Sequence, residues 1–122
     1  GIKSLNVRMQ QHKKNAEIVS QFLKTSKKTE KVVFPGFSGV VSFWIKGGQK
    51  ETARFLKKLK HIKITQSLGG PDTIMQHPRS MITFSLSARE LDGMGVTKNL
   101  IRMSVGLEDV SIILEDLKQA LR

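Results

Sequence analysis

The sequence predicts an α+β fold: an open, mainly antiparallel four-stranded sheet with helices packed on one face. Three observations support this prediction. Apolar residues recur at helical spacing in three separate segments, and shorter segments between them alternate apolar and polar residues as strands do. The first two strands lie too close in the chain for the crossover that parallel strands require. A length of 122 residues suits a single domain with a modest core.

The N-terminal third predicts one long helix and two strands. The first strand is expected at residues 31–34 and stops at Pro35-Gly36, because proline and glycine interrupt regular structure. The second strand, residues 40–46, places positions 41, 43 and 45 on one apolar face. The helix is expected over about residues 3–25, where apolar side chains recur at multiples of three and four residues: Leu5, Met9, Ala16, Val19 and Leu23.

The middle of the chain predicts a second helix over residues 49–60 and a third strand at 62–65. The segment Ser67-Leu68-Gly69-Gly70-Pro71 cannot continue regular structure, because paired glycines followed by proline favour turns and close backbone approach. We therefore expect a ligand near this segment. Residues 73–86 are interrupted by Pro78 and predict no single element.

The C-terminal third predicts a short helix, a strand and a final helix. Ser87 is a suitable N-cap for the short helix, and residues 100–105 alternate as a strand. Glu108 and Asp109 suit the first turn of the final helix, because their carboxylates complement its dipole.

Arg102 is the residue whose pattern most suggests a binding role. It alternates with Ile101 and Met103, so it should lie on the face of the strand that points away from the core. A guanidinium binds a carboxylate through two parallel hydrogen bonds. An ordinary exposed strand arginine has the same pattern, so the alternation alone leaves both interpretations open.

The net charge of +11 makes nucleic acid the first partner to consider. The basic residues are spread between predicted core positions, however, and the chain has one tryptophan and no tyrosine. The aromatic residues fall in apolar runs and do not alternate with basic ones, so no stacking platform is visible. Nucleic acid is therefore not the partner that we expect.

Composition also bears on metals, disulfides and membranes. The absence of cysteine excludes a disulfide framework and a thiolate metal site, and the three histidines are too far apart in sequence to suggest a metal site. No segment approaches the roughly 20 apolar residues of a membrane span. We expect no membrane association and a cytoplasmic location.

Four segments resemble, in order, successive motifs of the cystathionine lyase and synthase family, the Cys/Met metabolism enzymes that use pyridoxal phosphate. They lie at residues 2–9, 41–47, 66–70 and 100–109, and the last, LIRMSVGLED, is the most specific. Together the motifs cover nearly the whole chain. Within the family the sequence is most similar to cystathionine gamma-lyase and its relatives cystathionine gamma-synthase and methionine gamma-lyase.

The resemblance implies a fold-type I enzyme in which a large domain carries the cofactor and residues 1–122 form a single C-terminal domain that closes over the substrate. Arg102 then corresponds to the arginine that binds the α-carboxylate of a small amino-acid substrate. Ser67 corresponds to the serine beside the cofactor lysine, in contact with substrate and cofactor, and Leu68 lines the same wall. Gln66 lies at the position that affects specificity for the substrate side chain.

The resemblance also implies what the chain lacks. The lysine of the Schiff base, the acidic partner of the pyridine nitrogen and the phosphate cradle belong to the large domain, which is absent from this sequence. We therefore expect no catalytic residue within this chain.

The sequence departs from the family pattern in three places. Gln66 stands where many gamma-lyases and gamma-synthases have glutamate, so the choice between lyase and synthase, and the substrate, stay open. Ile82 stands where the family usually has a threonine near the substrate carboxylate. Between Gly36 and Phe37 the family has a longer helical connection, which is either deleted here or missing from the sequence.

The sequence thus predicts the C-terminal domain of a pyridoxal-phosphate-dependent carbon–sulfur lyase or gamma-synthase, without catalytic activity alone. Its partners would be a cofactor-binding domain or partner chain of the same enzyme, in a homo-oligomer. The alternative is a non-catalytic basic domain that binds nucleic acid or an acidic partner.

Overall fold

The computed structural model describes residues 2–65, 71–82 and 86–122. Within these ranges the chain forms, in order, α1 (Ile2–Thr25), β1 (Thr29–Val33), β2 (Val40–Ile45), α2 (Gln49–Lys58), β3 (Lys63–Ile64), β4 (Ile74–Gln76), α3 (Pro78–Met81), α4 (Ala88–Gly93), β5 (Leu100–Ser104) and α5 (Val110–Ala120).

The strands form one open sheet in the order β1-β2-β5-β4-β3. The β1–β2, β2–β5 and β4–β5 pairs are antiparallel, and β3–β4 is parallel. The predicted α+β class is confirmed, with five strands where the sequence predicted four. The additional strand, β4, lies in the segment that predicted no single element. All three of its residues are buried, so it has no alternation for sequence analysis to detect.

The core lies between the sheet and its three longest helices, α1, α2 and α5. Phe43 from β2 packs edge-on against Phe55 from α2, with ring centroids 6.0 Å apart. Burying an apolar side chain of this size stabilises a fold by about 1.5–3 kcal/mol. The remaining contacts join sheet residues Val41, Met75, Ile101 and Met103 to helix residues Ala16, Val19, Leu23, Ile113 and Leu117.

The apolar stripe predicted for α1 is covered along only part of its length. Ala16, Val19 and Leu23 are fully buried, whereas Leu5 and Met9 keep 50% and 55% of their surface exposed. The second half of the helix therefore packs on the sheet, and the first half extends beyond it.

The predicted helix starts near residues 87 and 109 are confirmed, with one correction. Ser87 caps α4 by accepting the N–H of Glu90 at 3.1 Å, and Asp109 caps α5 by accepting the N–H of Ser111 at 2.9 Å. Glu108 lies outside the helix, and its carboxylate binds Thr73 instead of supporting the first turn. No helix in the described ranges is long and apolar enough to cross a membrane.

Candidate functional site

Arg102 lies at the middle of β5, which is flanked by β2 and β4. It pairs with Ser42 on one side and Gln76 on the other. Because paired residues of neighbouring strands point to the same face, these three side chains form a row on the face away from α1, α2 and α5. Ile101 and Met103 are fully buried on the opposite face, while Arg102 is exposed. The predicted orientation of Arg102 is therefore confirmed.

The guanidinium of Arg102 is not neutralised by a carboxylate of the described residues. The ion pairs among them join His61 to Glu108 and Arg79 to Asp92. No hydrogen bond joins the Arg102 side chain to another described residue. Within the described residues, the donors of Arg102 are therefore available to an anion that reaches this face.

The other predicted site residues, Gln66, Ser67 and Leu68, lie outside the described residues. The chain on either side of them is held in place. The N–H of Thr65 donates to the carbonyl of Met75 at 2.9 Å, which puts position 65 two strands, or roughly 10 Å, from β5. The carbonyl of Pro71 accepts the N–H of Leu107 at 2.7 Å, just beyond the end of β5.

A polar network fixes the turn between β5 and α5. Thr73 donates its N–H and its hydroxyl to the carboxylate of Glu108 at 2.9 and 2.7 Å, and its hydroxyl oxygen accepts the N–H of Gly106 at 2.8 Å. From α1, Asn15 donates to the carbonyls of Gly106 and Glu108 at 3.0 and 3.1 Å. These bonds join α1, the segment before β4 and the strand that carries Arg102.

The network also sets the protonation of Glu108. Burial raises the pKa of its carboxyl, but the N–H and hydroxyl of Thr73 lower it, and the pKa lies below its ordinary value. The carboxylate form is the one that can accept from both Thr73 donors. Sequence analysis missed this role, because nothing local to Glu108 indicated a partner 35 residues away.

Gly106 is required by a close approach between two backbone segments. A Cβ at this position would collide with the carbonyl oxygen of Pro71 and lie 2.6 Å from the carbonyl carbon of Asp72. These are backbone atoms, which cannot turn away as a flexible side chain can. Glycine therefore allows residues 71–73 to pack against the turn that follows β5.

Ile82, which stands at the family's threonine position, follows α3 and is partly buried. Its N–H donates to the carbonyl of Pro78 at 3.2 Å and closes the helix. Its aliphatic side chain offers no hydroxyl to a ligand.

A pyridoxal phosphate site near Arg102 would need a lysine amine and donors for the phosphate. The positions of β2, β4 and β5 that share a face with Arg102 contain no lysine and no carboxylate: Val40, Ser42, Trp44, Ile74, Gln76, Leu100 and Ser104. These positions of β2, β4 and β5 therefore do not form a pyridoxal phosphate site by themselves.

Comparison with known proteins gives a consistent result. The family model of Cys/Met metabolism PLP-dependent enzymes matches residues 1–122. Cystathionine gamma-lyase of Homo sapiens is 39% identical over 138 positions, covering 100% of this chain and 34% of its own length. L-methionine gamma-lyase of Fusobacterium nucleatum subsp. polymorphum is 36% identical, covering 99% of this chain and 35% of its own length.

A similar solved structure is the O-acetylhomoserine (thiol)-lyase of Campylobacter jejuni, which carries N'-pyridoxyl-lysine-5'-monophosphate. It has a TM-score of 0.89 and 32% identity, over 99% of this chain and 33% of that one. The chain thus spans about a third of the length of the relatives that it matches.

The alignment with the human relative also bears on the short connection after Gly36. It runs over 138 positions against the 122 residues of this chain, so the relative has residues at 16 positions where this chain has none. A shorter connection between Gly36 and Phe37 would account for such a difference in length. The match over all 122 residues, with the fold on which it rests, shows that the chain belongs to the Cys/Met metabolism family of pyridoxal-phosphate-dependent enzymes.

Proposed function

We propose that this chain is the C-terminal, substrate-closing domain of a pyridoxal-phosphate-dependent carbon–sulfur lyase or gamma-synthase, and that Arg102 binds the α-carboxylate of its amino-acid substrate. The observation that carries the proposal is the placement of Arg102. It is exposed on a central strand whose adjacent residues are fully buried, and no described carboxylate neutralises it.

The position of Arg102 suits recognition by geometry as well as by charge. Because β5 pairs with strands on both sides, the backbone that carries the guanidinium is fixed. A planar guanidinium on a fixed backbone binds a carboxylate through two parallel hydrogen bonds and so sets its orientation. The role of Arg102 would be to hold one end of the substrate while reaction occurs at another atom.

Residues 66–70 would complete the wall of the substrate site. In this proposal Ser67 contacts substrate and cofactor, Leu68 lines the wall, and Gln66 faces the substrate side chain. The anchors at Thr65 and Pro71 support it, because they tie both ends of the segment to the β4–β5 side of the sheet.

The cofactor-binding domain would cover the first half of α1. This helix has 24 residues and is about 36 Å long, but only its second half packs on the sheet. Leu5 and Met9, both half exposed, line a groove of about 440 Å³ with Val40 and Leu107. We propose that the cofactor-binding domain, from the same chain or a partner in a homo-oligomer, buries this apolar surface.

The test is Arg102→Lys in the full-length protein, assayed with L-cystathionine and with L-methionine. Lysine keeps the charge but loses the two-pronged geometry, so kcat/KM should fall by roughly 10- to 100-fold, mainly through KM. The visible absorption of bound pyridoxal phosphate should not change, because Arg102 holds the substrate.

The matched control is Arg54→Lys, the same substitution at an exposed position of α2 on the other side of the sheet. It should leave kcat and KM unchanged. Unaltered kinetics for Arg102→Lys with either substrate, in an enzyme that turns that substrate over, would remove Arg102 from the substrate site. Loss of the cofactor band would instead assign it to cofactor binding.

A further inference from the structure

A cavity with a basic rim lies on the helix-covered side of the sheet, on the face opposite to Arg102. It has a volume of about 340 Å³. Its floor is apolar and its rim carries six cations. The floor consists of Ile45, Phe55, Ala120 and Leu121, and the rim of Lys27, Lys28, Lys46, Arg54, Lys58 and Arg122.

Four parts of the chain bring these cations together. The N–H of Lys46, after β2, donates to the carbonyl of Lys28 at 2.8 Å, so these two lysines stand side by side. Lys58, at the end of α2, donates its ammonium to the carbonyl of Arg122 at 3.0 Å, which joins the α2 side of the rim to the α5 side. The cluster is therefore produced by the fold and not by a run of basic residues.

The rim has six positively charged side chains and only one side-chain carboxylate near them. Glu51 is the one side-chain carboxylate that lines the cavity, and its Oε2 accepts the N–H of Gly48 at 2.9 Å. That bond is the main cause that lowers the pKa of Glu51, with smaller contributions from Arg54 and Lys50. Among the described residues, none of the six rim cations forms an ion pair with a side-chain carboxylate. A bound anion would relieve their mutual repulsion.

We propose that this cavity binds an organic polyphosphate, the chemical class of a nucleoside triphosphate. The phosphates would meet the lysines and arginines of the rim, and the apolar part of the ligand would lie over the floor, where Leu121 is the least buried residue. A volume of about 340 Å³ is within the range of small-molecule sites. Because the cavity and Arg102 lie on opposite faces, the ligand would not compete with the substrate, and the proposal does not depend on the role of Arg102.

The experiment titrates ATP into the full-length protein by calorimetry at about 0.15 M salt. The test variant is Lys46→Gln with Arg54→Gln, and the control is Lys13→Gln with Lys14→Gln, which removes the same charge from exposed positions of α1. All four residues are exposed, and circular dichroism checks that each protein is folded. The Kd of ATP should rise at least tenfold in the test variant and less than about twofold in the control.

Two further ligands test the two parts of the site. Inorganic tripolyphosphate should bind more weakly than ATP because it has no apolar part for the floor, and AMP should bind more weakly because it has fewer charges. Equal weakening in both double variants would mean attraction to the net charge alone and would overturn the proposal. So would the absence of saturable binding at millimolar ATP, or complete displacement of ATP by a short DNA duplex, which would make nucleic acid the occupant.

Discussion

Replacing Asp116 by asparagine tests how the loop between α2 and β3 is held. Asp116 belongs to α5 and is only 5% exposed, and its carboxylate accepts three successive backbone N–H groups and one side-chain amide. The donors are Lys60 at 2.9 Å, His61 at 2.8 Å, Ile62 at 2.8 Å and the Nε2 of Gln119 at 2.9 Å. No other described carboxylate accepts three consecutive backbone N–H groups.

The expected cost follows from these bonds. A hydrogen bond to a charged group contributes about 1.5–3 kcal/mol, and a buried donor left without a partner costs about 1–3 kcal/mol. Asparagine keeps one acceptor oxygen but turns an NH₂ group towards at least one backbone donor. We expect Asp116→Asn to lower the free energy of unfolding by about 2–4 kcal/mol at neutral pH. That is a large share of the roughly 5–15 kcal/mol that stabilises a typical domain.

The pH dependence gives a second check. Burial raises the pKa of Asp116, but the N–H groups of Ile62 and Lys60 and the amide of Gln119 lower it, and the pKa lies below its ordinary value. A carboxyl with a lowered pKa in the folded state contributes stability that is fully present above its unfolded pKa, about 3.9. That stability is lost as pH falls through the folded pKa. The difference between wild type and Asp116→Asn should therefore be largest near neutral pH and shrink in acid.

Urea unfolding followed by circular dichroism measures both effects, at neutral pH and in acid below about pH 3.5. Glu115→Gln is the matched control, because Glu115 is the exposed neighbour of Asp116 and the charge change is the same. The control should change the free energy of unfolding by less than about 0.5 kcal/mol. A cost for Asp116→Asn no greater than that of Glu115→Gln would refute the assignment of Asp116 as the anchor of this loop.

Three further substitutions test the packing around the sheet, each by urea unfolding. Gly106→Ala should cost about 1–3 kcal/mol or more, because its Cβ collides with backbone atoms of residues 71–72. Asn15→Ala should cost about 1–3 kcal/mol, because it leaves the carbonyls of Gly106 and Glu108 without their amide donor. Phe43→Ala should cost about 3–5 kcal/mol, because its fully buried ring leaves a cavity. A change below about 0.5 kcal/mol in any of them would contradict its reason.

The elements predicted from the sequence are those whose hydrophobic period repeats several times. The 24 residues of α1 and the alternating residues of β2 and β5 were found for this reason. β4 could not be found, because three buried residues show no period. The parallel pairing of β3 with β4 depends on which strands become neighbours in space, and no local pattern encodes it.

The polar residues that anchor the fold were also not predicted from the sequence. Asp116 lies between Ile113 and Leu117, both fully buried, and an acidic residue beside two core positions is the signal that could have found it. Its partners are 54 to 56 residues earlier, so the role of the carboxylate follows only from the packing of α5 against the α2–β3 loop. The orientation of Arg102, by contrast, depends on its two immediate neighbours, so alternation was sufficient to predict it.

The short connection between β1 and β2 lies away from the row that contains Arg102. Beyond Gly36 and Ser38, which both have positive φ, the carbonyl of Gly39 accepts the N–H of Val105 at 2.8 Å, so the start of β2 stays joined to the end of β5. The connection between β1 and β2 therefore keeps β2 paired with β5. It does border the groove beside the first half of α1, where Ser38 and Gly39 form part of the lining, and it leaves Phe37 70% exposed. A shorter connection at this place would therefore affect what packs against that groove and not the orientation of Arg102.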